Sequence, residues 1–271
     1  MEILKAVFLG IVEGITEWLP ISSTGHMLLV DEFLQLNMSE AFKEMFFVVI
    51  QLGAILAVVT VFFKRMIPFE LNKGLKIKKD TFSLWLKVVI ACVPGAVVTL
   101  LFDDFIEAHL HTPVVIAATL IIYGVAFILI ENSAKNKIPR TNQLEIISYK
   151  EALLIGLFQV LSIVPGTSRS GSTIIGALLI GVSRVAAAEF TFFLAVPVMF
   201  GLSALKLLNF GFDFTKDELV ILLVGCITAF IVSLAVVKFL MNYIRKKDFK
   251  VFGVYRIILG VLVLSCFLLV K

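Results

Sequence analysis

Residues 6–30 run AVFLGIVEGITEWLPISSTGHMLLV, and the fold turns on this stretch. It begins and ends as apolar helix, yet its middle holds Glu13, Glu17, Pro20, Ser22, Ser23, Thr24, Gly25 and His26. A straight span through hydrocarbon does not tolerate so many polar groups, and neither does the apolar region of a cleavable leader. Backbone that leaves the helix at membrane depth survives only where protein buries it or where it lines a wet cavity. The stretch therefore predicts a re-entrant hairpin, made of a helix, a polar elbow and a second helix. Residues 152–182 predict another, with Gln159, Pro165, Gly166, Ser168, Arg169, Ser170, Gly171, Ser172 and Thr173 at its middle.

The composition around the two elbows agrees. Of the 271 residues, 60% are hydrophobic and only 16% charged, with a mean hydropathy of +1.04. Soluble domains carry about 25% charged residues. So few charges cannot cover a water-soluble globule, which excludes a cytosolic enzyme, a disordered tail protein and a disulfide scaffold. The apolar runs are continuous rather than alternating, which excludes a membrane β-barrel. The net charge of +4 is mild and gives no nucleic-acid footprint. Cys92, Cys226 and Cys266 all lie inside apolar runs and are expected to pack, not to form disulfides or bind metal.

About six runs are long enough to span a bilayer: 46–63, 84–102, 113–130, 190–208, 219–237 and 252–270. Three loops are basic: 64–83 (Lys64, Arg65, Lys73, Lys76, Lys78, Lys79), 131–150 (Lys135, Lys137, Arg140, Lys150) and 241–250 (Arg245, Lys246, Lys247, Lys250). The positive-inside rule makes them cytoplasmic. The alternating loops hold Asp103, Asp104 and Glu107, then Asp213, Asp217 and Glu218, and are expected outside. On this topology the first hairpin enters from the external face and the second from the cytoplasmic face. The expected fold is all-α and polytopic, a single membrane domain over 1–271 with inverted halves at approximately 1–130 and 150–271. A shift of 146 sets Gly10 on Gly156, Glu13 on Gln159, Thr16 on Ser162, Ser22 on Ser168 and Gly25 on Gly171. Inverted repeats place functional sites near mid-membrane, where broken helices meet.

The elbows also concentrate the chemistry. Glu13 and Glu17 are four apart, so on a helix their carboxylates share one face. A divalent cation such as Mg²⁺ or Ca²⁺ would relieve their repulsion, while interfacial exposure or a shared proton is the plainer account. Ser22 or Ser23 is a candidate nucleophile with His26 as its base or acid, or His26 itself attacks. Ser22 or Thr24 also suits a helix cap. In the second elbow, small residues expose backbone N–H groups, and Arg169 adds a planar fork suited to phosphate. Tight packing through small residues is the competing account there. Carboxylates, a histidine, hydroxyls and a guanidinium together fit phosphoryl transfer, and a membrane-embedded site suits a phosphorylated lipid.

The run Glu13-Gly-Ile-Thr-Glu-Trp-Leu-Pro-Ile-Ser-Ser-Thr-Gly-His26, with Pro165-Gly-Thr-Ser-Arg-Ser-Gly-Ser-Thr173, resembles the undecaprenyl-diphosphate phosphatase family of the bacitracin-resistance type. Its (Glu/Gln)-x-x-x-Glu and Pro-Gly-x-Ser-Arg-Ser-x-x-Thr motifs are both matched. The resemblance implies a multi-pass enzyme of the bacterial plasma membrane with its site facing outside. It implies hydrolysis of undecaprenyl diphosphate to undecaprenyl phosphate and inorganic phosphate, which recycles the lipid carrier of peptidoglycan synthesis and confers bacitracin resistance. It also implies a divalent cation and functional roles for Glu13, Glu17, Ser23, His26, Ser168, Arg169 and Thr173. On this basis Glu13 and Glu17 hold metal or water, and Ser23 or His26 attacks. Ser22, Thr24, Ser168, Arg169, Ser170 and Thr173 receive the phosphate. The expected partners are the lipid substrate and the bilayer, with room for a homodimer. The alternative is a flippase for a phosphorylated polyprenyl lipid, since paired broken helices also serve transporters.

Overall fold

The structure, a computed structural model, describes residues 1–70, 76–134 and 137–269. Lys73, Lys135 and Val270 lie outside the described residues, as do the side chains of Lys76, Asp103, Asp104 and Glu107. Among the described residues the helices are α1 (Glu2–Thr16), α2 (Ser23–Phe33), α3 (Glu40–Val49), α4 (Gln51–Met66), α5 (Lys79–Leu110), α6 (Pro113–Ala134), α7 (Tyr149–Val160), α8 (Arg169–Leu179), α9 (Arg184–Phe210), α10 (Lys216–Ile244) and α11 (Lys250–Leu269). Two-residue strands, Phe69–Glu70 and Lys76–Ile77, pair antiparallel between α4 and α5.

Six helical stretches are long and apolar enough to cross a membrane: Glu40–Met66, Lys79–Phe102, Pro113–Ala134, Arg184–Phe210, Lys216–Ile244 and Lys250–Phe267. They coincide with the six expected runs but extend beyond most of them, because a charge-free count stops where a helix carries on to its polar cap. Ser148 and Thr215 form capping boxes with Glu151 and Glu218, and Ser183 accepts from the Ala186 amide. Each such cap satisfies amides that the first helical turn leaves free. The expected 46–63 span is two helices rather than one. At Ile50 the ladder tightens, with the Gly53 amide bonding to the Ile50 carbonyl at 3.0 Å, and α4 starts afresh at Gln51. Pro94 in α5 and Pro197 in α9 also interrupt their ladders.

The helices meet through small residues. Helix α1 packs along α10, and α7 along α5. A Cβ at Gly10 would stand 2.7 Å from the Gly225 carbonyl oxygen, and one at Gly156 only 2.4 Å from that of Ala91. Backbones this close exclude any larger side chain, which is how helices associate where lipid offers no hydrophobic contrast. Helices α6 and α11, and α4 and α10, form further long contacts. In the core, Trp18, fully buried, meets Phe192 of α9 edge-on at 5.2 Å.

Several of the charges inside the bundle are paired. Arg184 grips the buried Glu131 carboxylate through Nε and Nη2 at 2.5–3.0 Å, and that carboxylate also accepts from the Phe249 amide. Arg65 donates to Glu189 and to Glu145, each at 2.6 Å. Arg184 and Glu189 thus pair with residues of other helices, whereas Arg256 has another place.

Candidate active site

Both elbows are built alike. Among the described residues, Ser22 and Ser168 are the two non-glycine residues with positive φ, each at 71°. Each caps the helix that follows: Ser22 Oγ accepts from the Gly25 amide at 3.3 Å, and Ser168 Oγ from the Gly171 amide at 3.1 Å. Helices α2 and α8 start there, with Ser23 and Arg169 as their first residues. Gly166 (φ +86°) lets the second elbow lie against α6, where Thr119 Oγ1 donates to the Pro165 carbonyl at 2.7 Å.

Arg256 ties the elbows together. It is fully buried, and its guanidinium donates to the carbonyls of Pro20 (3.2 Å), Gly166 (2.8 Å) and Thr167 (2.9 Å) while lying over the Tyr123 ring. The sequence marks Arg256 only as a charge near the end of a span. Helix α11, more than 80 residues downstream of the second elbow, carries it inward, and nothing local in the chain announces that.

The expected carboxylate and guanidinium meet. Arg169 Nη2 donates to Glu17 Oε1 at 2.8 Å, with side chains 11% and 9% exposed, and its Nη1 donates to the Thr191 carbonyl at 3.1 Å. Ser23 Oγ donates to the other carboxylate oxygen, Glu17 Oε2, at 2.9 Å. One carboxylate therefore joins the lead residues of both second helices.

These groups border a cavity of about 570 Å³ whose lining includes Glu17, Ser23, Thr24, Gln159, Ser168 and Arg169. Its wall also includes Gln51, Gly95 and Pro197, close to each of the three helix interruptions, and it extends to His111 at the end of α5. Gln51 and the α9 wall went unremarked in the sequence because they sit inside apolar runs. Their signal is the proline or polar residue within the run.

Other expected residues lie off the cavity. Ser170 and Thr173 are buried and spent on protein acceptors. Ser170 Oγ lies 3.3 Å from the Glu17 carbonyl, and Thr173 Oγ1 lies 2.9 Å from the Arg169 carbonyl and 2.8 Å from Thr191 Oγ1. Ser22 is likewise buried in its cap. His26 does not bond Ser23: its Nδ1 faces the Ser22 carbonyl and its Nε2 the Tyr255 hydroxyl, both at 2.7 Å.

The carboxylates fit a hard cation in one respect. Glu13 is buried, and among the described residues its Oε1 has no hydrogen-bond partner; Gln159 Oε1 is in the same condition. Such oxygens suit Mg²⁺ or Ca²⁺. Among the described residues no three His, Cys, Asp or Glu side chains cluster to hold a metal by themselves. A cation would then draw its other oxygens from phosphate and water, as Mg²⁺ commonly does.

Fold and site define a class: a multi-pass α-helical membrane protein in which two capped elbows set a serine, a carboxylate and an arginine at one cavity. The chain belongs to the bacitracin resistance protein BacA family, whose model matches residues 6–262. A protein of Enterococcus faecalis named undecaprenyl-diphosphatase is 72% identical over 266 residues, which cover 97% of this chain and 96% of its own length. Proteins of the same name from Desulfitobacterium hafniense and Lachnoclostridium phytofermentans are each 61% identical, over 98% and 100% of this chain and 96% and 99% of their own.

Proposed function

We propose that this chain hydrolyses undecaprenyl diphosphate to undecaprenyl phosphate and inorganic phosphate, and so recycles the lipid carrier of peptidoglycan synthesis and confers resistance to bacitracin. The names of full-length relatives support the substrate and the reaction. The observation that carries the chemistry is Glu17 bonded at once to Ser23 and Arg169 on the cavity wall.

In this reading Ser23 Oγ attacks the terminal phosphorus and passes its proton to Glu17. The bond from that phosphorus to the bridging oxygen breaks, and undecaprenyl phosphate leaves. Water then cleaves the seryl phosphate and releases inorganic phosphate. Arg169, with Ser168 and Thr24 on the same wall, neutralises charge building on the transferring group, the largest contribution in most such sites. Ser22, Ser170 and Thr173 hold the elbows in register. His26, engaged by Ser22 and Tyr255, steadies α2 instead of acting on phosphorus. Glu13 and Glu17 would hold the divalent cation, which would supply further charge neutralisation at the diphosphate.

The cavity reaches His111, at the end of the bundle bearing 103–107 and away from the basic loops. With the positive-inside rule this supports a site on the external face of the plasma membrane. The matched serine caps, and the matched approaches of Gly10 to Gly225 and Gly156 to Ala91, support two inverted halves with a re-entrant hairpin in each. The relatives' names favour hydrolysis over lipid transport. Phosphate release by purified protein in detergent tests the reading. Ser23→Ala is expected to abolish it, and His26→Gln to retain a substantial share. The reverse ranking would return the nucleophile's role to His26.

A further inference from the structure

A second cavity, of about 910 Å³, opens at the other end of the bundle, where α6, α7, α8, α9 and α10 come together. Its lining carries Lys137, Arg140, Lys150, Arg184 and Arg245. Arg184 is neutralised by Glu131, but the other four cations have no hydrogen bond or ion pair among the described residues. Glu151 is the one carboxylate in the described lining, and it is already engaged by Thr141 at 2.6 Å and by the Ser148 amide and hydroxyl at 2.7 Å. The site thus holds a net positive charge, four unpaired cations against one carboxylate, gathered from a loop and two helix ends.

Apolar side chains flank that charge. Leu129 of α6 is 59% exposed, Leu179 at the end of α8 is 55% exposed, and Ile138 is 92% exposed. A free anion would use the cations and leave these side chains bare. An amphiphile with a phosphate head and two acyl chains meets both demands, with its head among the cations and its chains along Leu129 and Leu179. Basic pockets between membrane helices are suited to anionic lipid headgroups, each nearby Lys or Arg adding attraction.

We propose that this cavity binds the phosphodiester headgroup of an anionic phospholipid, a site separate from the one that holds Glu17 and Arg169. Helices α7 and α8 run between the two cavities, with Lys150 and Leu179 at one end and Gln159 and Arg169 at the other.

The test uses the full-length protein in neutral detergent with phosphatidylglycerol or phosphatidylcholine of identical chains, reading retained lipid by native mass spectrometry and the shift in Tm. Wild type is expected to retain phosphatidylglycerol and gain Tm, and to do neither with phosphatidylcholine. The triple variant Arg140→Gln/Lys150→Gln/Arg245→Gln should bind phosphatidylglycerol about tenfold or more weakly. All three side chains are exposed, so its Tm in phosphatidylcholine should match wild type. Lys246→Gln/Lys247→Gln, which removes neighbouring charge outside the cavity, should retain the lipid as wild type does. Equal retention of both lipids by wild type would overturn the proposal. So would an equal loss in the Lys246/Lys247 variant, an equal Tm shift with inorganic phosphate, or a preference for polyprenyl phosphate over phosphatidylglycerol.

Discussion

Glu17 is the residue on which the site converges, since its two carboxylate oxygens serve different elements. Taking away Arg169 removes the positive partner of that carboxylate and the charge clamp on the substrate. Arg169→Ala is therefore expected to lower kcat by roughly 10²–10³, the usual scale for a lost charge-stabilising donor. Arg169→Lys should recover only part of this, because a point charge cannot bond Glu17 and the Thr191 carbonyl through one rigid fork. Near-normal turnover in Arg169→Ala, measured as phosphate release at saturating substrate, would remove Arg169 from the mechanism. The sequence brought Glu17 and Arg169 to one site, since charges inside apolar runs are rarely idle, but assigned one to metal or water and the other to phosphate, not to each other. It did not separate the hydroxyls that border the cavity from those that brace it. Ser23 and Ser170 look alike in the chain, and only the folded elbows turn one toward the cavity and the other toward the Glu17 carbonyl.

At the scale of the elements, the elbows depend on two serines held in a conformation that side chains rarely adopt. A residue at φ near +71° costs of order 1–3 kcal/mol unless its surroundings enforce it. The hydroxyl cap offsets part of that cost. Ser168→Gly should thus be milder than Ser168→Ala in thermal denaturation, because glycine relieves the strain while both variants lose the cap. If alanine proved the gentler change, the positive φ would not be what serine sustains. Helix contacts give a second prediction. Gly156→Leu forces a side chain into the Ala91 carbonyl and should destabilise by about 1–3 kcal/mol or more. The same change at Gly201, where a Cβ meets nothing within 4 Å among the described residues, should leave Tm nearly unchanged. The six spans were legible from apolar runs. The break at Ile50 was not, since Ile50-Gln51 carries neither proline nor glycine.

For the whole molecule, the sequence conveyed a bundle with basic loops at one end and broken helices within. It could not convey that Arg256 would cross from α11 to bind both elbows, because that contact joins residues 90 and 236 positions apart and exists only after the bundle folds. The basic end also titrates. Burial of Glu145 opposes ionisation, but the Arg65 hydrogen bond and the nearby charges of Arg65 and Lys87 outweigh it and hold its carboxyl below the ordinary glutamate value. A depressed carboxylate contributes stability above its unfolded pKa and loses it as pH falls through the folded value. Wild type should therefore lose a modest increment of Tm between about pH 5 and 3 that Glu145→Gln lacks, small because the pair is part-exposed. Parallel pH curves for the two proteins would show that this pair contributes nothing. The central claim, that the elbows form one reacting unit, is tested most directly by turnover of Ser23→Ala, Arg169→Ala and the double variant. Groups acting in one step are grossly non-additive. The double variant should be no slower than Ser23→Ala alone, whereas two losses that simply multiply would place the residues in separate roles.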